Sequence, residues 1–304
     1  MDHAHLSHAT EQAHECRVCG ARAAPDGSYE ALGLYRCPSC GFRFAPAPAS
    51  ALQGLYGDDY FEEYPGGESY TEDEAQRRYE ARIRVALLER FLSGGRILEI
   101  GAAAGHFLDE ARRAGFEGIG IEPAPSVAER ARERLGVDVR AGFVEEADFP
   151  AGSFDAVCGW HVLEHLAEPR AALERIRAWL RPGGYLLLEV PNVDSFYARR
   201  RGPRWFHLDP EHHVGHYGPR SLGTLLERAG FDVIGTETFP ALGYVRPGRA
   251  LRPASLAVQA KELIEVRAWP RRPHPSKHEL LRAFAQVTTA GSGIGTRNLP
   301  PPSR

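Results

Sequence analysis

No run of 18 apolar residues occurs in the 304-residue chain, so no membrane-spanning helix and no membrane insertion are expected. The first residues, MDHAHLSHATEQAHEC, lack the basic segment followed by an apolar one that marks a secretory signal, and a cytoplasmic protein is expected. Neither sign of charge dominates: 37 Lys and Arg face 40 Asp and Glu, a net charge of −3. Nucleic-acid affinity rests largely on cations that neutralise phosphates, so the balance argues against such a partner. One local cluster, Arg199, Arg200, Arg201 and Arg204, reads as a solvated loop. No internal repeat is visible.

Cysteine is scarce, but four of the five are paired by spacing. Cys16-Arg17-Val18-Cys19 and Cys37-Pro38-Ser39-Cys40 form a CxxC…CxxC array, with Gly20 and Gly41 following each pair. Four thiolates on two tight knuckles can close a tetrahedral Zn²⁺ shell with no open position, as a structural site requires. A disulfide pair or a redox CxxC is the alternative, and a reducing cytosol disfavours it. Cys158, alone in an apolar run, reads as a small buried hydrophobe.

Residues 1–12 read as a disordered tail that takes in His3, His5 and His8, with His14 counted among the same tail histidines. Residues 13–45 read as a zinc ribbon too short to fold without its metal. Residues 46–94 hold a linker, an aromatic stretch with Tyr56, Tyr60 and Tyr64 that suits a lid or a packing contact, and a helix over 70–93. From 95 to 287 strand-like runs at 96–100, 118–122, 137–140, 154–160, 184–190 and 231–238 alternate with helical stretches at 105–114, 125–135, 167–180 and 219–229. Such alternation implies an α/β domain with a doubly wound, mostly parallel sheet, whose ligands sit at the carboxyl ends of the strands. Residues 254–268 suit an amphipathic helix, and 288–304 read as a second disordered tail. A last strand is harder to find: LLRAFAQVTTA, at 280–290, is a poor candidate, so either an incomplete sheet or a remodelled end is expected.

The first strand of the alternation, RILEI, runs into GAAAG, residues 101–105. A turn stripped of side chains lets backbone N–H groups and a helix N-terminus approach a ligand. An acidic residue about 20 positions on, Glu122 in FEGIGIEPA, is placed to bind ribose hydroxyls. The turn is G-x-x-x-G rather than G-x-G-x-x-G, and no P-loop Lys-Ser/Thr follows, so neither a dinucleotide nor a triphosphate is indicated.

ILEIGAAAGHFL, GIEPAPSVAERA, FPAGSFDAVCGWHVLEHLAEP and LRPGGYLLLEVPN, in this order, resemble successive motifs of the class I S-adenosylmethionine-dependent methyltransferases, a Rossmann-like fold. The resemblance covers about residues 70–238. It implies S-adenosylmethionine as cofactor, with Glu99 near its amino group, Gly101, Ala102 and Gly105 in the turn beneath it, Glu122 on the ribose and Phe143 bordering the adenine. Trp160 and His161 would line the reaction centre. HVLEH also fits the inverted zincin pattern H-x-x-E-H, with His161 and His165 as ligands on one helix face; that reading lacks a third ligand.

PRWFHLDPEHHVGHYGPRSLGTLLERAGF, within and beyond a substrate loop at 192–220, resembles the loop of methyltransferases acting on sugars, polysaccharides and natural products. His213, His216, Tyr217 and Ser221 match that pattern, and Gly218 replaces its usual serine. A zinc ribbon ahead of such a domain also resembles zinc-containing deoxysugar methyltransferases, with His212 standing where those have a glutamate. The expected activity is methyl transfer to a small-molecule acceptor, a sugar, glycolipid precursor or secondary metabolite. His213 is the expected general base, His161 the second candidate and His216 a positioning residue. Alternatives are an rRNA or tRNA methyltransferase that reads RNA through the zinc module, and a cofactor-binding scaffold without catalysis.

Overall fold

The computed structural model describes residues 14–46, 74–209, 212–241 and 278–288. The tails, Tyr56, Tyr60 and Tyr64, and the helix expected at 254–268 lie outside these residues. Four short strands open the described chain: β1 (His14–Glu15), β2 (Arg22–Pro25), β3 (Tyr35–Arg36) and β4 (Arg43–Phe44). They form an antiparallel sheet that carries the two cysteine knuckles. His14 belongs to β1 and sets its ring 4.3 Å from that of Tyr35, so it is part of the module and not of the tail.

After helix α1 (Glu74–Leu88) the α/β alternation follows in the expected order. Its elements are β5 (Gly95–Ile100), α2 (His106–Arg113), β6 (Phe116–Glu122), α3 (Pro125–Leu135), β7 (Asp138–Ala141), β8 (Phe154–Trp160), α4 (Pro169–Trp179) and β9 (Leu180–Pro191). Then come α5 (Phe196–Arg201), β10 (Gly215–His216), α6 (Pro219–Arg228), β11 (Asp232–Phe239) and β12 (Leu280–Gln286). The large sheet has the order β11-β12-β9-β8-β5-β6-β7. β5 to β9 pair in parallel, and β12 runs antiparallel to both of its neighbours. Ile97, Leu98, Val157, Cys158, Leu187 and Val190 are fully buried in this sheet, as the near-continuous apolar runs of a doubly covered sheet require. Cys158 packs there as the small hydrophobe its sequence context suggests.

Two expectations are corrected. The sheet is not incomplete: LLRAFAQ is its seventh described strand, slotted between β9 and β11. It reads poorly because Arg282 interrupts it. In the fold Arg282 is 4% exposed, donates from Nε to Glu189 Oε2 at 2.7 Å, and reaches Glu237 at 3.3 Å. A cation is tolerated in a buried strand when carboxylates meet it there. The arginine cluster is likewise no loop: Ser195 caps α5 by accepting from the Ala198 N–H at 3.1 Å, and Arg199 and Arg200 stand exposed on that helix.

Removing Arg282 leaves a fully buried carboxylate with one cation fewer. Arg282→Leu is expected to lower unfolding free energy by about 3 kcal/mol, read as a shift of the urea midpoint at unchanged slope.

Candidate functional site

The turn between β5 and α2 is built by its glycines. Gly101 and Gly105 have φ of 70° and 77°. A Cβ on Gly101 would lie 2.5 Å from Val162 Cγ2, and one on Gly105 would lie 2.8 Å from Val137 Cγ2. Ala103, at φ 45°, shares the left-handed turn, and its N–H donates to Glu122 Oε2 at 2.9 Å. The Ala124 N–H donates to Glu122 Oε1 at 3.0 Å, so one carboxylate ties the end of β6 to the turn after β5. Burial raises the Glu122 carboxyl to about 7, against the pull of these two N–H donors.

A cavity of about 430 Å³ opens over this turn. Glu99, Gly101, Ala102, Glu122, Phe143 and Trp160 all line it, whereas Gly105 does not and faces Val137 and Ala131. Glu99 is 3% exposed and its Oε2 has no hydrogen-bond partner among the described residues. Burial pushes its carboxyl well up, opposed by Arg84. A buried acceptor without a donor, facing a cavity, fits an ammonium group, and the glycine turn fits a ligand lying close to backbone. These residues therefore suit S-adenosylmethionine.

Arg77, Glu80 and Arg84 of α1 also line the cavity, and sequence reasoning missed them. Their signal was present: residues 77, 80, 81 and 84 share one face of a helix, and two of them are cations there. The Arg84 guanidinium lies 5.4 Å from the Trp160 ring centroid and 3.6 Å from Glu189.

His161 follows β8 at φ 58°, a costly conformation for a residue with a side chain. Its N–H donates to the Glu189 carbonyl at 2.9 Å, its Nδ1 lies 3.2 Å from Glu164 Oε1 and its Nε2 3.4 Å from Glu189 Oε1. Burial disfavours its charge, but the two carboxylates outweigh burial and lift it to about 9. Burial likewise pushes Glu164 up, and His161 outweighs that to hold it at about 2. His161 is thus a cation at neutral pH and is poorly suited to accept a proton.

Residues 163–165 form a 3₁₀ turn rather than an α-helix, so His161 and His165 do not share the ligand face that H-x-x-E-H demands. His165 instead meets His213, with ring centroids 4.7 Å apart. Glu164, His165 and His213 bring their ligand atoms within 4.8 Å of one another. His213 donates from Nδ1 to the His207 carbonyl at 2.9 Å, which leaves Nε2 as its accepting nitrogen. His165, His207, His213 and the exposed Phe206 line the same cavity. His216 does not line it; it is buried behind His213, and burial lowers it to about 3. His207, also lowered by burial to about 3, was not singled out in the sequence.

Gly218, the departure from the loop pattern, lies against the Asp194 side chain, which a Cβ there would displace. Ser221 caps α6, its hydroxyl accepting from the Gly218 N–H at 3.0 Å. Tyr217 is wholly buried and donates to the Leu163 carbonyl at 3.3 Å.

In the N-terminal module the four cysteine Sγ atoms also lie within 4.8 Å of one another, with Cys16–Cys40 at 3.6 Å and Cys19–Cys37 at 3.5 Å. Gly20 and Gly41, at φ 77° and 83°, turn their N–H groups back to the Cys16 and Cys37 carbonyls at 2.8 Å. Paired knuckles with four convergent sulfurs fit a structural Zn²⁺.

A family model described as "Methyltransferase domain" matches residues 72–236. The ubiquinone biosynthesis O-methyltransferase of Bradyrhizobium diazoefficiens is 33% identical over 153 residues, 45% of this chain and 59% of that protein. A probable S-adenosylmethionine-dependent methyltransferase of Mycolicibacterium smegmatis is 32% identical over 142 residues, 46% of this chain and 53% of that protein. The chain thus spans less than two thirds of the length of these curated relatives. Among solved structures, a methyltransferase of Thermotoga maritima, described as a possible histamine N-methyltransferase, superposes with a TM-score of 0.54 at 20% identity, over 76% of this chain and all of that one. The 1,6-didemethyltoxoflavin N1-methyltransferase of Burkholderia thailandensis superposes with a TM-score of 0.52 at 20% identity, over 82% of this chain and 96% of that one. No helix among the described residues is long and apolar enough to cross a membrane.

Two outcomes are expected. Native mass spectrometry should find one zinc per chain, lost in Cys37→Ser; a second equivalent that survives this substitution would place an ion on Glu164, His165 and His213. The His161 ring protons, followed by NMR, should titrate near pH 9. Because its folded pKa is raised, the stabilisation from its ion pairs is full below about 6.5 and is lost as pH rises through 9. Glu164→Gln should lower that midpoint.

Proposed function

The chain belongs to the methyltransferase-domain family, and from that premise we propose that it transfers the methyl group of S-adenosylmethionine to a hydroxyl of a small ring-bearing acceptor. The observation that carries this reading is a single cavity lined by two unlike sets of side chains, the carboxylates Glu99 and Glu122 beside the glycine turn, and the rings of His165, His207, His213 and Phe206.

S-adenosylmethionine brings an electrophilic methyl already attached to a good leaving group. The residues then have to bind it, aim it and relieve the acceptor of a proton. Glu99 takes the amino group and Glu122 the ribose hydroxyls, while the Gly101–Gly105 turn and Phe143 shape the remainder of the cofactor end. Holding acceptor and methyl in line can supply up to about 7–11 kcal/mol of the barrier.

His213 is the proton acceptor in this reading. Its Nδ1–H is committed to the His207 carbonyl, so the accepting Nε2 remains for the acceptor hydroxyl. His161, held cationic by Glu164 and Glu189, contributes positive charge beside the reaction centre and keeps HVLEH in its turn. His216 supports His213 from behind. The aromatic and imidazole lining of the acceptor end suits a hydroxylated ring, whether sugar or aromatic. O-methylation agrees with the activity named for the Bradyrhizobium relative, whose similarity lies in 45% of this chain.

Isothermal titration with S-adenosylhomocysteine tests the cofactor end. Micromolar binding is expected, lost in Glu122→Ala. With Glu122 titrating near 7, affinity should rise about tenfold from pH 6 to pH 8 as the carboxylate ionises, and Glu122→Gln should abolish that dependence. Labelled methyl transfer screened over catechols and nucleoside-diphosphate sugars should give an O-methylated product. His213→Ala should lower kcat by about 10²–10⁴-fold with cofactor affinity unchanged. A folded, zinc-loaded protein that binds no S-adenosylhomocysteine at any pH overturns the reading.

A further inference from the structure

The zinc module does not complete its own sheet. Its outer strand β4 pairs antiparallel with β10, which comes from the substrate loop: Phe44 opposes Gly215 and Arg43 opposes His216. The ladder continues through the Ala45 N–H, which donates to the Val214 carbonyl at 3.1 Å. On its other side the same segment is held by the reaction-centre turn. The Val214 N–H donates to the Glu164 carbonyl at 2.9 Å, and Tyr217 donates to that of Leu163. Residues 213–217 are therefore fixed between the zinc module and HVLEH.

Arg43 joins these parts by side chain as well as backbone. Its Nε lies 2.8 Å from Asp26 Oδ2 in the module, and one terminal nitrogen lies 3.3 Å from Asp194 Oδ1 at the start of the substrate loop. Asp26 is 7% exposed and the Arg43 side chain 12%, so the pair inside the module is shielded from solvent, whereas the Asp194 side chain is more exposed. The neighbouring Phe42 packs at a tilt against Tyr217 with centroids 4.9 Å apart. Gly215 makes room for it, since a Cβ there would meet Phe42 Cζ at 3.1 Å.

We propose that Arg43 is a positioning residue for the transfer. Through the β4–β10 seam and Asp194 it holds both ends of the substrate loop, and with them His213, so that the zinc module braces the active site from outside its cavity. The inference rests on the role given to His213 above. A module that merely stabilised the fold would need no residue that pairs by backbone with one end of the loop and by guanidinium with the other. A misplacement of about 1 Å at a reacting group can cost 10²-fold in rate.

The test uses the full-length, zinc-loaded protein and compares Arg43→Met and Arg43→Lys with wild type. Hydrogen exchange measured by mass spectrometry should rise at least tenfold over residues 212–218 in Arg43→Met and stay unchanged over residues 96–122. Affinity for S-adenosylhomocysteine should stay within twofold. With the acceptor found by the methyl-transfer screen, kcat should fall about ten- to hundredfold, and Arg43→Lys, which keeps one ion pair, should recover part of both effects. Phe42→Leu loosens the seam without removing a charge and carries the same readouts if Arg43→Met does not fold. Unchanged exchange over 212–218 overturns the proposal, as does a loss of cofactor affinity in step with kcat. A wild type that transfers no methyl group defeats the functional reading alone, because the exchange comparison still reports on the seam.

Discussion

Glu189, fully buried at the carboxyl end of β9, is the charge around which the catalytic face is arranged. An ionised carboxylate taken out of water needs cations close by. Here they arrive from three separate parts of the chain: Arg84 from α1, His161 from the end of β8 and Arg282 from β12. Meeting that one requirement anchors the helix that covers the cavity, fixes the residue that begins HVLEH, and sets the register of the last strand. The chain of charges then runs outward through Glu237 to Arg90. The positive φ of His161 is tolerated because its backbone and both ring nitrogens are engaged at once by Glu189 and Glu164.

The same reasoning separates two kinds of histidine in one site. His161 lies between carboxylates and is charged at neutral pH, whereas His207 and His216 lie among other rings and backbone and are neutral. Burial acts on all of them in the same direction. Only the presence of a carboxylate within hydrogen-bonding distance decides the outcome. Sequence proximity cannot supply that distinction, because Glu189 is 28 positions away from His161 and next to it only through the β8–β9 pairing.

What the chain displays locally was legible in it. The alternating elements from β5 to α6, the side-chain-free turn, Glu99, Glu122 and the four-cysteine array all depend on residues that are near one another or on a periodic pattern. What was not legible depends on distant pairing. β12 was read as a poor strand because Arg282 looks out of place until Glu189 and Glu237 stand beside it. His216 looked like a cavity residue from its place in a His-rich loop, yet the pairing with Arg43 turns it into the protein behind His213. The arginines of α5 gave no helical signal beyond the Ser195 cap. Of the cations of α1, Arg84 meets its carboxylate, Glu189, only from far downstream.

The position of β12 has a consequence for how this protein is made. A ribosome delivers residues 95–239 long before Leu280 emerges, so β9 must wait with one row of backbone N–H and C=O groups unpaired and β11 with no strand partner among the described residues. β9 is the more hazardous edge, because Leu186, Leu187, Leu188 and Val190 flank it and no proline falls between Gly183 and Pro191. Open apolar strand edges recruit other chains. The nascent protein is therefore most vulnerable to aggregation late in synthesis, and a truncation just before residue 280 would leave it in that condition permanently, with its cofactor turn intact and its sheet unzipped.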